Sequence, residues 1–203
     1  MTHDQPRVPR NLCLFCGANV GTRVAYVAAA RALGVLLARE QVGLVYGGGS
    51  VGLMNEAAEA VLAAKGRIVG VITRQLMARE VGHRNLTELH IVETMHERKA
   101  LMAKLSDAFV ALPGGYGTFD ELCEMLTWNQ LGIHAKPVVL VNSEGYFDGF
   151  LQQLERAQDD GLLRAENRKA LLVTEKIDDV LARVRAWHQP PVAQLLRQDA
   201  PPP

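Results

Sequence analysis

Residues 108–131 read AFVALPGGYGTFDELCEMLTWNQL. An apolar run of strand length (108–112) passes into Pro113-Gly114-Gly115, and the glycines lead into a segment whose Leu122, Met125 and Leu126 share one helical stripe. A strand, a glycine loop and a helix in direct succession form the first half of a βαβ unit. Outward from this stretch the pattern repeats. Short apolar runs at 11–15, 43–46, 67–72, 89–92 and 137–141, with a weaker one at 171–173, alternate with helix-length segments. In one of these segments Leu53, Ala57, Val61 and Ala64 form a stripe. The alternation predicts an α/β fold, a doubly wound parallel sheet in a single domain over residues 11–188. Residues 1–10 read as a disordered or extended N-terminal segment. Residues 189–203 read as a Pro-rich C-terminal tail that cannot continue a helix.

Composition narrows the function classes. The 203 residues are 48% hydrophobic, and 22 Lys+Arg stand against 22 Asp+Glu. A chain of this size buries roughly 70% of its unfolded surface, and such apolar content excludes a disordered polymer. Zero net charge argues against nucleic-acid or membrane-surface binding, which needs a broad basic field, yet leaves room for a local site for a small anion. Aromatic residues make up 5%, too few for base-stacking platforms. The start, MTHDQPRVPR, is polar, without the apolar run of a signal peptide, and no stretch reaches the roughly 18 apolar residues of a membrane span. Three cysteines do not make a disulfide framework. Cys13 and Cys16 form a CxxC inside an apolar run, where they would point to opposite faces of a strand, and no second pair completes a zinc site. Buried thiols in a reducing cytoplasm are the expectation, with no metal and no cofactor. His83 and His134 lack metal-ligand spacing, and His96 reads as a loop histidine.

In doubly wound sheets ligands sit beyond the carboxyl ends of the strands, so the loops there carry the functional reading. The first such loop is Gly47-Gly48-Gly49-Ser50-Val51-Gly52. It satisfies GxGxxG, but the acidic residue that a dinucleotide site needs at the end of the next strand is missing: Thr73 and Arg74 stand there. Leu53 occupies the place of a Walker lysine. The loop is then either an anion-binding turn or simply a tight strand-to-helix connection. The second loop, Pro113 to Thr118, offers three glycines and a hydroxyl at a helix start, the pattern of a phosphate cradle made of backbone N–H groups. Thr118 and Glu121 also match a T-x-x-E capping box, and spacing alone fits both readings. Asp120 and Glu124 beside the site, and the triple glycine that no capping box needs, favour the cradle. A third cluster, Met95-His96-Glu97-Arg98-Lys99, puts two cations at a helix start, which the helix dipole disfavours unless an anion answers them. The alternative is a solvated charged turn.

PGGYGTFDE (113–121), MHERK (95–99), YGGGSVGLM (46–54) and FCGAN (15–19), together with HAKPVVLVN (134–142) and GYFD (145–148), resemble the LOG family, the cytokinin riboside 5′-monophosphate phosphoribohydrolases with the signature PGGxGTxxE. The likeness runs from about residue 11 to about residue 180. It implies a Rossmann-like nucleotide-binding domain, a homodimer with sites near the subunit interface, and hydrolysis of the N-glycosidic bond of N6-modified adenosine monophosphates or AMP. By the resemblance Arg98 and Glu121 are the catalytic pair. Gly114, Gly115, Gly117 and Thr118 form the phosphate-binding loop, with Pro113, Tyr116, Gly48, Gly49 and Met95 also around the substrate and Glu97 and Lys99 beside the sugar and base. Asn55 stands where the family commonly has Gly, and Thr73 where proline is frequent.

Such a reaction develops positive charge on the ribosyl ring, and a carboxylate near the anomeric carbon stabilises it and activates water. That role falls to Glu121, with Arg98 expected to hold it ionised through a bidentate pair or to contact ribose hydroxyls. The expected partner is a small nucleoside monophosphate, with no nucleic acid and no membrane. The competing reading is a non-catalytic nucleotide or cofactor carrier on the same fold. A pyridoxal-phosphate decarboxylase would need a Schiff-base lysine, for which Lys99 has no supporting motif.

Overall fold

The computed structural model describes residues 9–78, 82–83 and 85–188. The expected N-terminal segment lies outside these residues except for Pro9 and Arg10, and the Pro-rich tail 189–203 lies wholly outside them. Seven strands form one parallel sheet: β1 (Asn11–Phe15), β2 (Gly43–Tyr46), β3 (Ile68–Thr73), β4 (Glu88–Val92), β5 (Ala108–Ala111), β6 (Val138–Val141) and β7 (Leu171–Thr174). The connecting helices are α1 (Val24–Arg39), α2 (Gly52–Ala63), α3 (Arg74–Met77), α4 (Met95–Leu105), α5 (Tyr116–Gln130), α6 (Asp148–Asp159), α7 (Ala165–Arg168) and α8 (Val180–Ala186). The strand order is 4-3-2-1-5-6-7. The order reverses at β1, which pairs with β2 (Cys13↔Val45) on one side and with β5 (Cys13↔Phe109) on the other.

Side-chain alternation divides the apolar residues into two cores, one on each face of the sheet. Leu12, Leu14 and Cys16 pack with α1, α2 and α8, while Cys13 and Phe15 pack with Met102 of α4 and Leu122 and Met125 of α5. The doubly wound single domain expected from the sequence is what forms, and the two cysteines lie in opposite layers. Burial drives both thiols upward in pKa, with the Glu121 carboxylate adding to the effect, so they remain protonated core groups.

Several boundaries differ from the sequence reading. The third strand ends on Thr73, not Ile72, because the Thr73 hydroxyl accepts from the Leu76 amide and caps the short α3, a helix the periodicity does not reveal. The α2 stripe ends at Val61: the helix stops at Ala63, and Ala64 is exposed at its C-cap. At the centre of the first layer α1 crosses α2 at Gly34, where a Cβ would lie 2.5 Å from the Ala57 carbonyl oxygen and 2.7 Å from the Ala60 Cβ. The close crossing therefore depends on the missing side chain. Gly34→Val is expected to lower stability by about 1–3 kcal/mol through overpacking, despite removing a helical glycine. Urea denaturation checks this, and an unchanged or higher midpoint would contradict it.

Candidate active site

Because the order reverses at β1, the loops after β1 and β5 leave in opposite directions and a crevice opens between them. A cleft of about 420 Å³ occupies this position. Residues 16–21 after β1 form one wall and residues 113–118 after β5 the other, with Arg98 and Glu121 at its inner end. The two loops are tied together: the Gly17 amide donates to the Pro113 carbonyl at 3.0 Å, and the Leu53 amide donates to the Gly17 carbonyl at 3.0 Å. Gly114 sits so close to Gly17 and to Thr118 that a Cβ there would clash with both.

The loop after β5 ends in a helix start that is open to a ligand. The N-cap of α5 is Gly115, with no side-chain cap hydrogen bond, and Cβ atoms at Gly115 or Gly117 would meet nothing. The first-turn amides therefore face the cleft with the helix dipole behind them. Thr118 lies inside this first turn, 2% exposed, and its hydroxyl has no hydrogen-bond partner among the described residues. The T-x-x-E capping box at 118–121 is thereby excluded, since the helix begins two residues before Thr118. From the other side the Tyr146 hydroxyl donates to the Gly114 carbonyl at 2.6 Å, fixing the loop while leaving its amides free.

The capping box of this molecule is one helix earlier. Thr94 accepts from the Glu97 amide, and Glu97 Oε2 accepts from the amides of Glu93 (2.9 Å) and Thr94 (3.3 Å). This places a carboxylate at the α4 start, where it offsets the two cations that follow. Arg98 turns inward from α4: its Nε donates to the Val71 carbonyl (3.0 Å) and its Nη2 to the Gly47 carbonyl (3.1 Å). Only Nη1 is directed at Glu121, 3.8 Å from Oε1. The expected bidentate pair does not form, because two edges of the guanidinium are already committed to carbonyls. Nor is Glu121 held firmly ionised. Its burial pushes the carboxyl up to about 7, Arg98 opposing that shift and Asp120 adding to it. The result is a carboxyl that changes charge near neutrality, as a general base requires.

The structure gathers Arg98, Glu121, Pro113, Gly114, Gly115, Tyr116, Gly117 and Thr118 around the cleft. Gly48, Gly49, Met95, Glu97 and Lys99 lie outside its lining. In the first glycine loop it is the carbonyl of Gly47 that points inward, to Arg98, and Gly49 instead bridges to Gly82. Glu97 is engaged in its cap, and Lys99 is buried against Asp120 and Glu124. Burial alone would depress the Lys99 ammonium, but the two ion pairs outweigh it and the net shift is upward. Sequence reasoning missed Asn19, Tyr26, Met54 and Tyr146 among the lining residues. Asn19 and Tyr146 fall within the stretches FCGAN and GYFD, on loops after strands, which was the available signal.

A doubly wound sheet with an uncapped helix start and a buried Arg–Glu contact at its switch point defines a Rossmann-like protein with a cleft at the carboxyl end of its sheet. A family model described as "Possible lysine decarboxylase" matches residues 54–184. The chain is 44% identical to the cytokinin riboside 5′-monophosphate phosphoribohydrolase of Rhodococcoides fascians over 88% of this chain and 90% of that protein. To the enzyme of that name LOG1 from Arabidopsis thaliana it is 43% identical, over 86% and 85% of the two chains. The chain belongs to this phosphoribohydrolase (LOG) family. Among solved structures, the molybdenum cofactor carrier protein of Chlamydomonas reinhardtii shares the fold with a TM-score of 0.65 at 23% identity, covering 86% of this chain and 95% of that one. The decarboxylase description does not fit the site: among the described residues no lysine lines the cleft, and Lys99, with its raised pKa, is held by two carboxylates. A Schiff-base lysine needs a free, depressed amine.

A carboxyl raised from the ordinary 4.5 to about 7 favours the folded state below its unfolded pKa, and that contribution is lost as pH rises through 7. Glu121→Gln should therefore gain stability over the wild type between pH 5 and pH 8, by on the order of 2 kcal/mol. Urea titrations at several pH values measure it, and a pH-independent difference would sink the assignment of a raised Glu121.

Proposed function

We propose that this chain hydrolyses the N-glycosidic bond of N6-modified adenosine 5′-monophosphates and of AMP, releasing the free base and ribose 5-phosphate. The observation that carries the reading is the Glu121 carboxyl beside Arg98, one and a half turns inside a helix whose uncapped start faces the same cleft. Glu121 lies ~7.5 Å along the α5 axis from the first helical residue, a separation suited to a 5′-phosphate at the helix start and C1′ at the carboxylate. The first-turn amides and the Thr118 hydroxyl take the phosphate. Its binding energy then holds the ribosyl ring in place, so the phosphate acts on a bond remote from itself.

In the bond-breaking step the electron pair of the C1′–N bond leaves with the base, and the ring acquires oxocarbenium character. Ionised Glu121 stabilises that charge and takes a proton from the water that attacks C1′. The departing base takes up a proton from solvent, and Glu121 returns its proton to solvent for the next turnover. Arg98, fixed by the Val71 and Gly47 carbonyls, favours the ionised form of Glu121 and directs Nη1 at the carboxylate and the adjoining ribose. The carrier reading leaves this arrangement without a purpose, since holding a ligand needs no carboxyl poised near neutrality.

The same reading includes a homodimer and a cytoplasmic location. Support for the dimer comes from the β4 edge: Glu88 and Ile91 are exposed there and no other β4 residue is fully buried, whereas β2, β3, β5 and β6 are buried throughout. Support for the location comes from the cysteines, all three of them free.

Incubation with AMP and with isopentenyladenosine monophosphate, followed by chromatography, should show free base from one or both. Nucleotide that binds but stays intact would instead establish the carrier. Glu121→Gln should reduce turnover by at least about 10²-fold with folding retained. For the wild type, kcat/KM should climb with pH to a plateau, with an apparent pKa near 7 from Glu121. A Cβ on Gly47 would strike the Arg98 guanidinium. Gly47→Ala is therefore expected to cut kcat/KM about tenfold or more, and full activity would refute that coupling.

A further inference from the structure

The three acidic residues near the start of α5 are answered by two adjacent cations on α4, and the division of labour between those cations is unequal. Arg98 reaches the cleft. Lys99, one helical step further round, does not: its Nζ lies 3.0 Å from Asp120 Oδ2 and 3.2 Å from Glu124 Oε2, and its side chain is 9% exposed. Asp120 and Glu124 are one turn apart and share a face of α5, while Glu121 is turned about 100° away, into the cleft. A single ammonium thus spans the two carboxylates that flank the reacting one.

We infer that Lys99 is a positioning residue for Glu121: by bridging Asp120 and Glu124 it fixes α5 against α4 and balances the negative charge on either side of the catalytic carboxyl. The inference rests on the reading of Glu121 given above. It replaces a substrate contact for Lys99 with an internal one, since its Nζ is engaged by Asp120 and Glu124 and the residue lies outside the cleft lining. Charges that face Glu121 come from α4 (Arg98 and Lys99) and from its own helix (Asp120 and Glu124), and the β1 side contributes the thiols of Cys13 and Cys16, which burial keeps neutral. Two cations stand against two anions. Removing Lys99 leaves one against two, which disfavours the ionised carboxyl that the reaction needs at neutral pH.

The test is the pH dependence of AMP hydrolysis in the wild type, Lys99→Met and Lys99→Arg, read beside a 13C NMR titration of the Glu121 side-chain carboxyl in the same proteins. In Lys99→Met both the rising limb of kcat/KM and the carboxyl titration should move up by about one pH unit, so that activity at pH 6 falls about tenfold and recovers by pH 9 with KM unaltered. Lys99→Arg should keep the wild-type profile. If Lys99→Met does not fold, Asp120→Asn/Glu124→Gln, which keeps the cation and removes both anions, should shift limb and titration downward. A raised KM at every pH with an unmoved limb, or a carboxyl titration unaffected by the variants, overturns the inference. Absence of AMP and isopentenyladenosine monophosphate turnover in the wild type overturns the proposed function instead, and the NMR titration still reports on Lys99.

Discussion

Arg98 carries its charge into the carboxyl end of the sheet, where the carbonyls of Val71 and Gly47 take two edges of the guanidinium and only Nη1 remains for Glu121. A buried cation is tolerated only where acceptors surround it, and this one finds them in Val71 of β3 and in Gly47, the first residue after β2. The rest of the site follows from that placement. The absence of a side chain at Gly47 makes space for the guanidinium, the Thr94–Glu97 box sets the direction in which α4 leaves β4, and α5 must bring Glu121 to a point already fixed by main-chain atoms of other strands. The carboxyl is therefore positioned by the sheet itself and not by a flexible partner. Its raised pKa results from the same geometry: a single long contact with Arg98 does not cancel the loss of water around it.

The sheet was readable from short apolar runs and their spacing, because parallel strands buried on both faces leave a continuous apolar signature. The glycine loop at 113–118 was readable as a turn into a helix start, and the structure places the uncapped start of α5 there. What stayed hidden depends on direction in three dimensions. GGGSVG at 47–52 has the composition of an anion loop, yet its inward group is a carbonyl. T-x-x-E occurs at both 94–97 and 118–121, and only the position of the helix start distinguishes the cap from the cradle. Arg98 and Lys99 are neighbours in the chain, but the 100° step of the helix sends one to the cleft and the other to two carboxylates. Tyr146 closes the Gly114 loop from a connection 32 residues away, beyond the reach of any local pattern.

The neutral overall charge acquires a different meaning beside this site. The uncapped start of α5 carries positive potential from its amide dipoles, which does not register in a count of lysines and arginines. Formal charges near the cleft are instead arranged to set the ionisation of one carboxyl. Charge composition therefore carries no information about a site for a single small anion.

The pairing of β1 has a consequence for how the molecule comes into being. Its second neighbour, β5, is almost a hundred residues further along the chain (Leu12↔Ala108), so the central strand keeps an open edge until the second half of the sequence has been made. Closure of that edge also creates the crevice, since both walls depend on β1 and β5 lying side by side. During synthesis the chain passes through a stage in which β1, β2 and β3 present an unsatisfied parallel edge, a template for wrong pairing that non-local topology leaves exposed for longer than a helical bundle would. Ligand-binding capacity and protection from misassociation are therefore acquired in the same event.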